Sequence, residues 1–232
     1  MKRNAFGLEP ESLVRRRLVI AGGLGVLAAG VSPRLLAQQP AGPAVPRVGD
    51  SWRYQYRSEW RTVAPQTIEY VVAEVSPTAI RDRMTVAGLS GEDVKTFTSR
   101  IENVNRALPG FVASEFSPYL QAFTSLAPGS SLPAPAMPQD AMFGLPWSIL
   151  VRVSGPERVS VPAGTFDAMR VDLKGGRPPF QLNTVAEPAY LYETVWFAPG
   201  PKRVVKHARI LQAWALNQLE RDTYELVSYK VA

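Results

Sequence analysis

Trp52-Arg53-Tyr54-Gln55-Tyr56-Arg57-Ser58-Glu59-Trp60-Arg61 decides the fold. Trp52, Tyr54, Tyr56, Ser58 and Trp60 alternate with Arg53, Gln55, Arg57, Glu59 and Arg61. Successive side chains of an extended strand point to opposite faces, so this period of two gathers rings on one face and charges on the other.

The same texture continues downstream. Residues 67–75 are rich in β-branched side chains and read as a second strand, residues 79–86 as a third and residues 95–101 as a fourth. Ser117-Pro118 opens a short helix through Leu126, because Ser caps well and Pro suits the first helical position. Residues 127–146 hold five prolines and read as a long loop. Strands resume at residues 147–153. Residues 157–173 read as a hairpin, with a type I turn at Val161-Pro162-Ala163-Gly164. Residues 174–188, with Gly175-Gly176 and Pro178-Pro179, read as another loop. Residues 190–197 form a strand ending at Ala198-Pro199-Gly200-Pro201, residues 203–214 pair back with it, and residues 224–231 close the chain. About nine or ten strands at hairpin spacing predict a mainly β protein. The expected architecture is a single strongly curved or partly closed antiparallel sheet, with long Pro-rich loops and at most one or two short helices.

Upstream, the texture differs. Arg15, Arg16 and Arg17 precede an apolar run from Leu18 to Val31, and Ala37 supplies a small residue at a cleavage site. This is the pattern of a secretory signal. The run is shorter than the roughly 20 apolar residues a membrane span needs. Arg15-Arg16-Arg17-Leu18-Val19 also resembles a twin-arginine export signal, although Val14 stands where Ser or Thr is usual; a general secretory signal fits as well. No Cys follows the run, which excludes a lipid-anchored lipoprotein. The expected organisation is a signal at 1–37, a Pro/Ala/Gly linker at 38–48 and one β domain at 49–232, placed in the periplasm.

Charge and composition then remove several functions. The net charge is +6, but residues 1–37 contribute +4 of it, so the mature chain carries +2 and nucleic-acid binding loses its compositional support. The chain has no cysteine, which excludes disulfides, thiolate metal sites and a cysteine nucleophile. His207 is the only histidine, and between Lys206 and Arg209 it reads as a solvated strand position. No Gly-x-Ser-x-Gly elbow and no phosphate-binding loop occur, and no metal or cofactor is expected. A carboxylate pair for hydrolysis would come from Asp167, Asp172, Glu187 or Glu193, but no pair stands out.

Three motifs carry a resemblance: Val48-Gly49-Asp50-Ser51-Trp52-Arg53-Tyr54, Val159-Ser160-Val161-Pro162-Ala163-Gly164-Thr165-Phe166 and Trp196-Phe197-Ala198-Pro199-Gly200-Pro201-Lys202-Arg203-Val204-Val205-Lys206. In this order the chain resembles a group of uncharacterised exported bacterial proteins with a repeated-hairpin β domain. That group is distantly similar to periplasmic carriers and receptors of lipoproteins, in which a curved sheet cups an acyl chain. The third motif departs at Pro201 and Lys202, where a small or apolar residue and Gly are usual. The resemblance lends no catalytic residue.

The function expected from these readings is a non-enzymatic periplasmic binding module for an apolar or amphipathic envelope ligand. Trp52, Tyr54, Tyr56, Trp60, Trp147 and Trp196 are the expected lining. Lys202, Arg203, Lys206 and Arg209 form an expected basic patch. The alternatives are a structural protein that docks to another envelope protein, and a carboxylate-dependent hydrolase. The partners implied are a lipid-like ligand or an envelope protein, without nucleic acid and without a membrane span after cleavage.

Overall fold

Strand β1 (Ser51–Ser58) buries Trp52, Tyr54 and Tyr56 and exposes Arg53 and Arg57, as its alternation predicts. The computed structural model describes residues 44–59, 64–98, 116–134, 148–182, 185–213 and 218–232. The export segment with Arg15, Arg16, Arg17 and Ala37 lies outside the described residues, as do Trp60 and Trp147. Residues Gln39–Ala232 form one unit.

After β1 come β2 (Gln66–Val75), β3 (Ala79–Val86) and β4 (Asp93–Thr98) as an antiparallel meander. A four-residue helix, α1 (Leu120–Phe123), follows, then β5 (Ser131–Leu132), β6 (Ser148–Val161), β7 (Gly164–Leu182), β8 (Val185–Ala198), β9 (Arg203–Ala213) and β10 (Gln218–Lys230). All ten strands make one antiparallel sheet in the order β4-β3-β2-β1-β10-β9-β8-β7-β6-β5. The sheet is mainly β in the expected sense and does not close. The first and last strands, β1 and β10, pair inside the sheet, from Ser51 opposite Lys230 to Ser58 opposite Asp222.

Contacts between distant strands measure the curvature. Arg203 on β9 forms an ion pair with Asp82 on β3, four places away in the sheet. Strands sit about 4.8 Å apart, so a flat sheet would separate these two by roughly 19 Å. The Trp52 indole donates to the Pro201 carbonyl (2.7 Å), and the Ala163 amide in the β6–β7 turn donates to Leu226 of β10 (3.0 Å). The sheet therefore curls strongly around its inner face.

Two expected loops need correction. Residues 174–188 do not form a loop: β7 and β8 pair as far as Leu182 opposite Val185, with a register shift between Arg177 and Phe180 that absorbs Pro178-Pro179. The region 127–146 is also not wholly a loop, since Ser131–Leu132 pairs with β6. The predicted turn at Val161–Gly164 is present, and Gly164 takes the left-handed φ of 136° there. At the β8–β9 turn Lys202 adopts a positive φ of 58°.

The connection from β4 to β5 joins the two edges of the sheet and delivers its own side chains to the core. Phe116 and Leu120 pack against Val151, Val153, Val171, Leu173, Leu191, Val195, Phe197 and Val204. Tyr119 enters the neighbouring cluster of Trp52, Tyr54, Ile80, Phe97, Val205 and Leu226. The helix falls short of the expected Ser117–Leu126 span: Tyr119, not Ser117, is at its N-cap and no side chain caps it, although the Tyr119 amide donates to the Ser117 hydroxyl (3.3 Å) and the Leu120 amide to the Ser117 carbonyl (3.2 Å).

Candidate functional site

Charged residues occur at inward positions on several strands. On β3 the phase Ile80, Asp82, Met84, Val86 is buried throughout, and on β8 so is Leu191, Glu193, Val195, Phe197. A charge at an apolar phase must find partners or remain costly. Here the partners form two clusters.

The first is built around Arg203. A register shift between Trp196 and Phe197 sets Phe197 opposite Val204, and three consecutive residues, Arg203, Val204 and Val205, are then buried. Arg203 donates to Asp82 and to the Tyr119 hydroxyl. That hydroxyl in turn donates to Asp82 (2.8 and 2.9 Å). The guanidinium carbon lies 5.0 Å from the Trp52 ring centre, 4.2 Å from Tyr70, 4.6 Å from Tyr119, 5.6 Å from Phe97 and 5.7 Å from Tyr54. Ring faces attract a cation, most strongly when water is excluded. Burial pushes the Asp82 carboxyl up, while Arg203 and the Tyr119 hydrogen bond oppose that shift. Burial likewise raises the Tyr70 phenol to about 12, against the pull of Arg203. The arrangement has no free face: it is a clasp that locks β3, β9 and α1 together.

The second cluster lies further along the inner face. Register places Tyr56, Tyr224, His207, Val195, Val171 and Val153 in one line across β1, β10, β9, β8, β7 and β6. The next line holds Ser58, Asp222, Arg209, Glu193, Leu173 and Val151. Within it Arg209 sits between two carboxylates, with Nε 3.3 Å from Glu193 and Nη1 3.9 Å from Asp222. The Tyr56 hydroxyl donates to Asp222 (2.7 Å). His207 Nε2 is 3.6 Å from Glu193, and its ring stacks on Tyr224 at 5.6 Å and 11°. Burial holds the Tyr224 phenol well above its ordinary value, with the nearby Tyr70, Tyr56 and Asp222 adding to the shift. A polar ladder thus crosses the inner face beside an aromatic line. Leu211 and Leu191, paired with each other, occupy the next inward line.

The sequence-predicted residues are divided between several places. Trp52 and Tyr54 face inward but are core, packed on Tyr119 and Arg203, and Tyr54 donates to the Val204 carbonyl. Tyr56 stands in the aromatic line and donates to Asp222 of the polar ladder. Trp196 is on the opposite face, where its indole donates to Glu157 (3.2 Å) and its ring lies 5.9 Å from both Arg170 and Lys206. The expected basic patch does not form. Arg203 and Arg209 are buried, Lys206 pairs with Glu225 on the outer face (2.8 Å), and Lys202 reaches the Ala232 carbonyl (2.6 Å) and Asp50 (3.4 Å). His207 is buried at 6% exposure and is not a solvated position. The carboxylates proposed for hydrolysis are separated as well. Asp167 is exposed, and Asp172 pairs with Thr194 on the face opposite Glu193. The side chain of Glu187 lies outside the described residues. Among the described residues no group of three His, Asp or Glu side chains has metal-binding geometry.

Sequence reasoning missed Asp82, Asp222 and the partnership of Glu193 with Arg209. The signal was present in the inward phase of β3 and β8, where a carboxylate takes a place otherwise held by Ile, Met, Val or Phe.

No family model matches the chain, and no curated protein matches it. Solved structures similar to it include a protein from Parabacteroides distasonis proposed to be a lipoprotein. It is 13% identical, with 83% of this chain and 100% of that chain covered and a TM-score of 0.44. Another is a protein from Bacteroides fragilis proposed to be exported, with a YmcC-like fold. It is 16% identical, with 80% of this chain and 97% of that chain covered and a TM-score of 0.38. Among the described residues no helix is long and apolar enough to cross a membrane.

Proposed function

We propose that this chain is an exported, non-enzymatic binding module of the bacterial envelope that holds an amphipathic ligand against the inner face of its curved sheet. Export rests on the signal pattern of residues 1–37. The binding reading rests on one observation: the buried ladder Asp222–Arg209–Glu193, with His207 beside it, lies between an aromatic and an apolar line of the inner face. Sites for small amphiphiles combine apolar walls with a few convergent polar groups. The seat narrows to Tyr56, Tyr224, His207, Arg209 and Glu193, because Trp52 and Tyr54 are committed to the core.

Native mass spectrometry of protein recovered from the cell envelope tests this. The expected result is a co-purifying amphiphile whose occupancy falls in Arg209→Gln and Tyr56→Ala. A bare polypeptide mass, together with no uptake of a fluorescent fatty acid, overturns it.

A second reading has its own support. Phe116, Tyr119 and Leu120 fill two of the inner clusters from within the chain, as in a protein whose sheet is simply packed and which docks to another envelope protein. A stable co-purifying protein with no small ligand favours that reading.

A further inference from the structure

The outer face of the β1–β3 half has a different character from the inner one. Arg53 and Arg57 on β1, Arg81 and Arg83 on β3 and Lys230 on β10 are all exposed. Two have acidic partners: Arg53 with Glu69 (3.5 Å) and Arg81 with Glu74 (3.0 Å). Arg57 donates only to Gln55 (2.8 Å), and among the described residues no carboxylate lies within ion-pair distance of Arg57, Arg83 or Lys230. The face therefore carries a surplus of cations on a rigid scaffold.

Their layout limits what they can meet. Arg53 and Arg57 are four residues apart, or about 14 Å along a strand, and β1 and β3 are two strand spacings apart, or about 10 Å. The cations are spread over an area and do not line a groove that would track a single polymer chain. Ser51, Gln55, Thr67 and Thr85 lie among them, with Val71 and the exposed Val94 as single apolar side chains beside Arg83, so the face lacks the broad desolvated apolar centre of a protein interface. Four of the five cations are arginines, whose planar fork matches phosphate oxygens.

We infer that this outer face docks electrostatically on a bilayer surface bearing anionic phospholipid headgroups. A two-dimensional field of phosphates suits a two-dimensional array of guanidinium groups. The surface attraction is worth about a fivefold change in partitioning for each cation. The inference is independent of the inner-face ligand, since none of these residues touches that site.

Vesicle co-sedimentation tests it, with the full chain and two lipid compositions: phosphatidylcholine with phosphatidylglycerol, and phosphatidylcholine alone. Every variant keeps the same N-terminal segment, whose own affinity cancels in the ratio to wild type. Arg57→Gln/Arg83→Gln/Lys230→Gln is expected to weaken binding to the anionic vesicles about a hundredfold, on the basis of about fivefold per cation. Glu69→Gln/Glu74→Gln frees Arg53 and Arg81 and is expected to strengthen binding. High salt abolishes the difference between the two lipid compositions. All of these side chains are exposed or half-buried, and thermal melts of the variants verify that the fold is intact. Equal binding by the triple variant and wild type overturns the inference. So does capture by a soluble polyuronate or an acidic protein without any gain on anionic vesicles.

Discussion

At the scale of single residues, the Arg203 clasp shows why a buried charge is tolerated. Removing one partner leaves the other uncompensated, which costs about 3–5 kcal/mol, whereas an apolar replacement of both is near neutral. Arg203→Met is therefore expected to lower unfolding free energy by that amount in urea titrations. Adding Asp82→Leu to it should restore most of the loss. If the double variant is as weak as the single one, the stabilisation resides in the packing of the guanidinium among its rings. Asp172 presents the opposite case. Partial desolvation disfavours its charge, but hydrogen bonds from Ser154, Arg170 and Thr194 overcome that and hold its carboxyl below the ordinary range. Its folded value is thus lower than the unfolded value of about 3.9. The stabilisation is complete above that value and disappears as pH falls through the folded one. Asp172→Asn should lower the melting temperature at neutral pH, with the gap closing in strong acid. Solvent screening at this partly exposed site keeps the effect to about 1 kcal/mol.

At the scale of elements, the β8–β9 turn carries a specific tension. Lys202 holds a left-handed backbone (φ 58°), which costs a residue with a Cβ roughly 1–2 kcal/mol. Its side chain offsets this through Asp50 and Ala232. Lys202→Ala retains the strain and loses the contacts, while Lys202→Gly loses both. The glycine variant should be the more stable of the two by about 1 kcal/mol in thermal melts. The register shift between Val153 and Gly155 gives a related expectation. Gly155 has a φ of 126°, and an added Cβ would meet Pro128 at 3.7 Å, an ordinary contact. The cost of Gly155→Ala is then backbone strain of about 1–3 kcal/mol, readable by denaturant titration. Such irregularities explain what was legible in the chain. The bounds of β3 were readable, but its inward Asp82 was not, because a charge there interrupts the apolar phase of Ile80, Met84 and Val86. The burial of Arg203 was not, because the shift beside Phe197 breaks the period of two just where the charge begins. Residues 174–188 misled for a related reason: Gly-Gly and Pro-Pro are loop signals, yet a long hairpin accommodates the prolines at its own irregularity.

At the scale of the whole molecule, the class of fold was legible and the site was only partly so. Hairpin spacing and the inward rings of β1 were enough for a curved antiparallel sheet. The second cluster depends on the register among three strands, β8, β9 and β10, which sets Asp222, Arg209 and Glu193 side by side. Tyr119 tests the role of the β4–β5 connection in holding the curl. Its hydroxyl links Asp82 to Arg203, so Tyr119→Phe should cost about 1–3 kcal/mol in denaturant titrations. Tyr192→Phe, at an exposed position, should leave stability unchanged in the same measurement.

The β1–β10 seam inside the sheet has a temporal consequence. The first strand described waits for the last, with Ser51 opposite Lys230, so closing this seam requires the longest loop closure in the structure. A polypeptide threaded amino-end first through a narrow pore would remain incomplete, its two half-sheets unjoined, until its final dozen residues emerged. The assembly schedule written into this topology thus delays the joining of the two parts of the sheet until the last strand is free to pair.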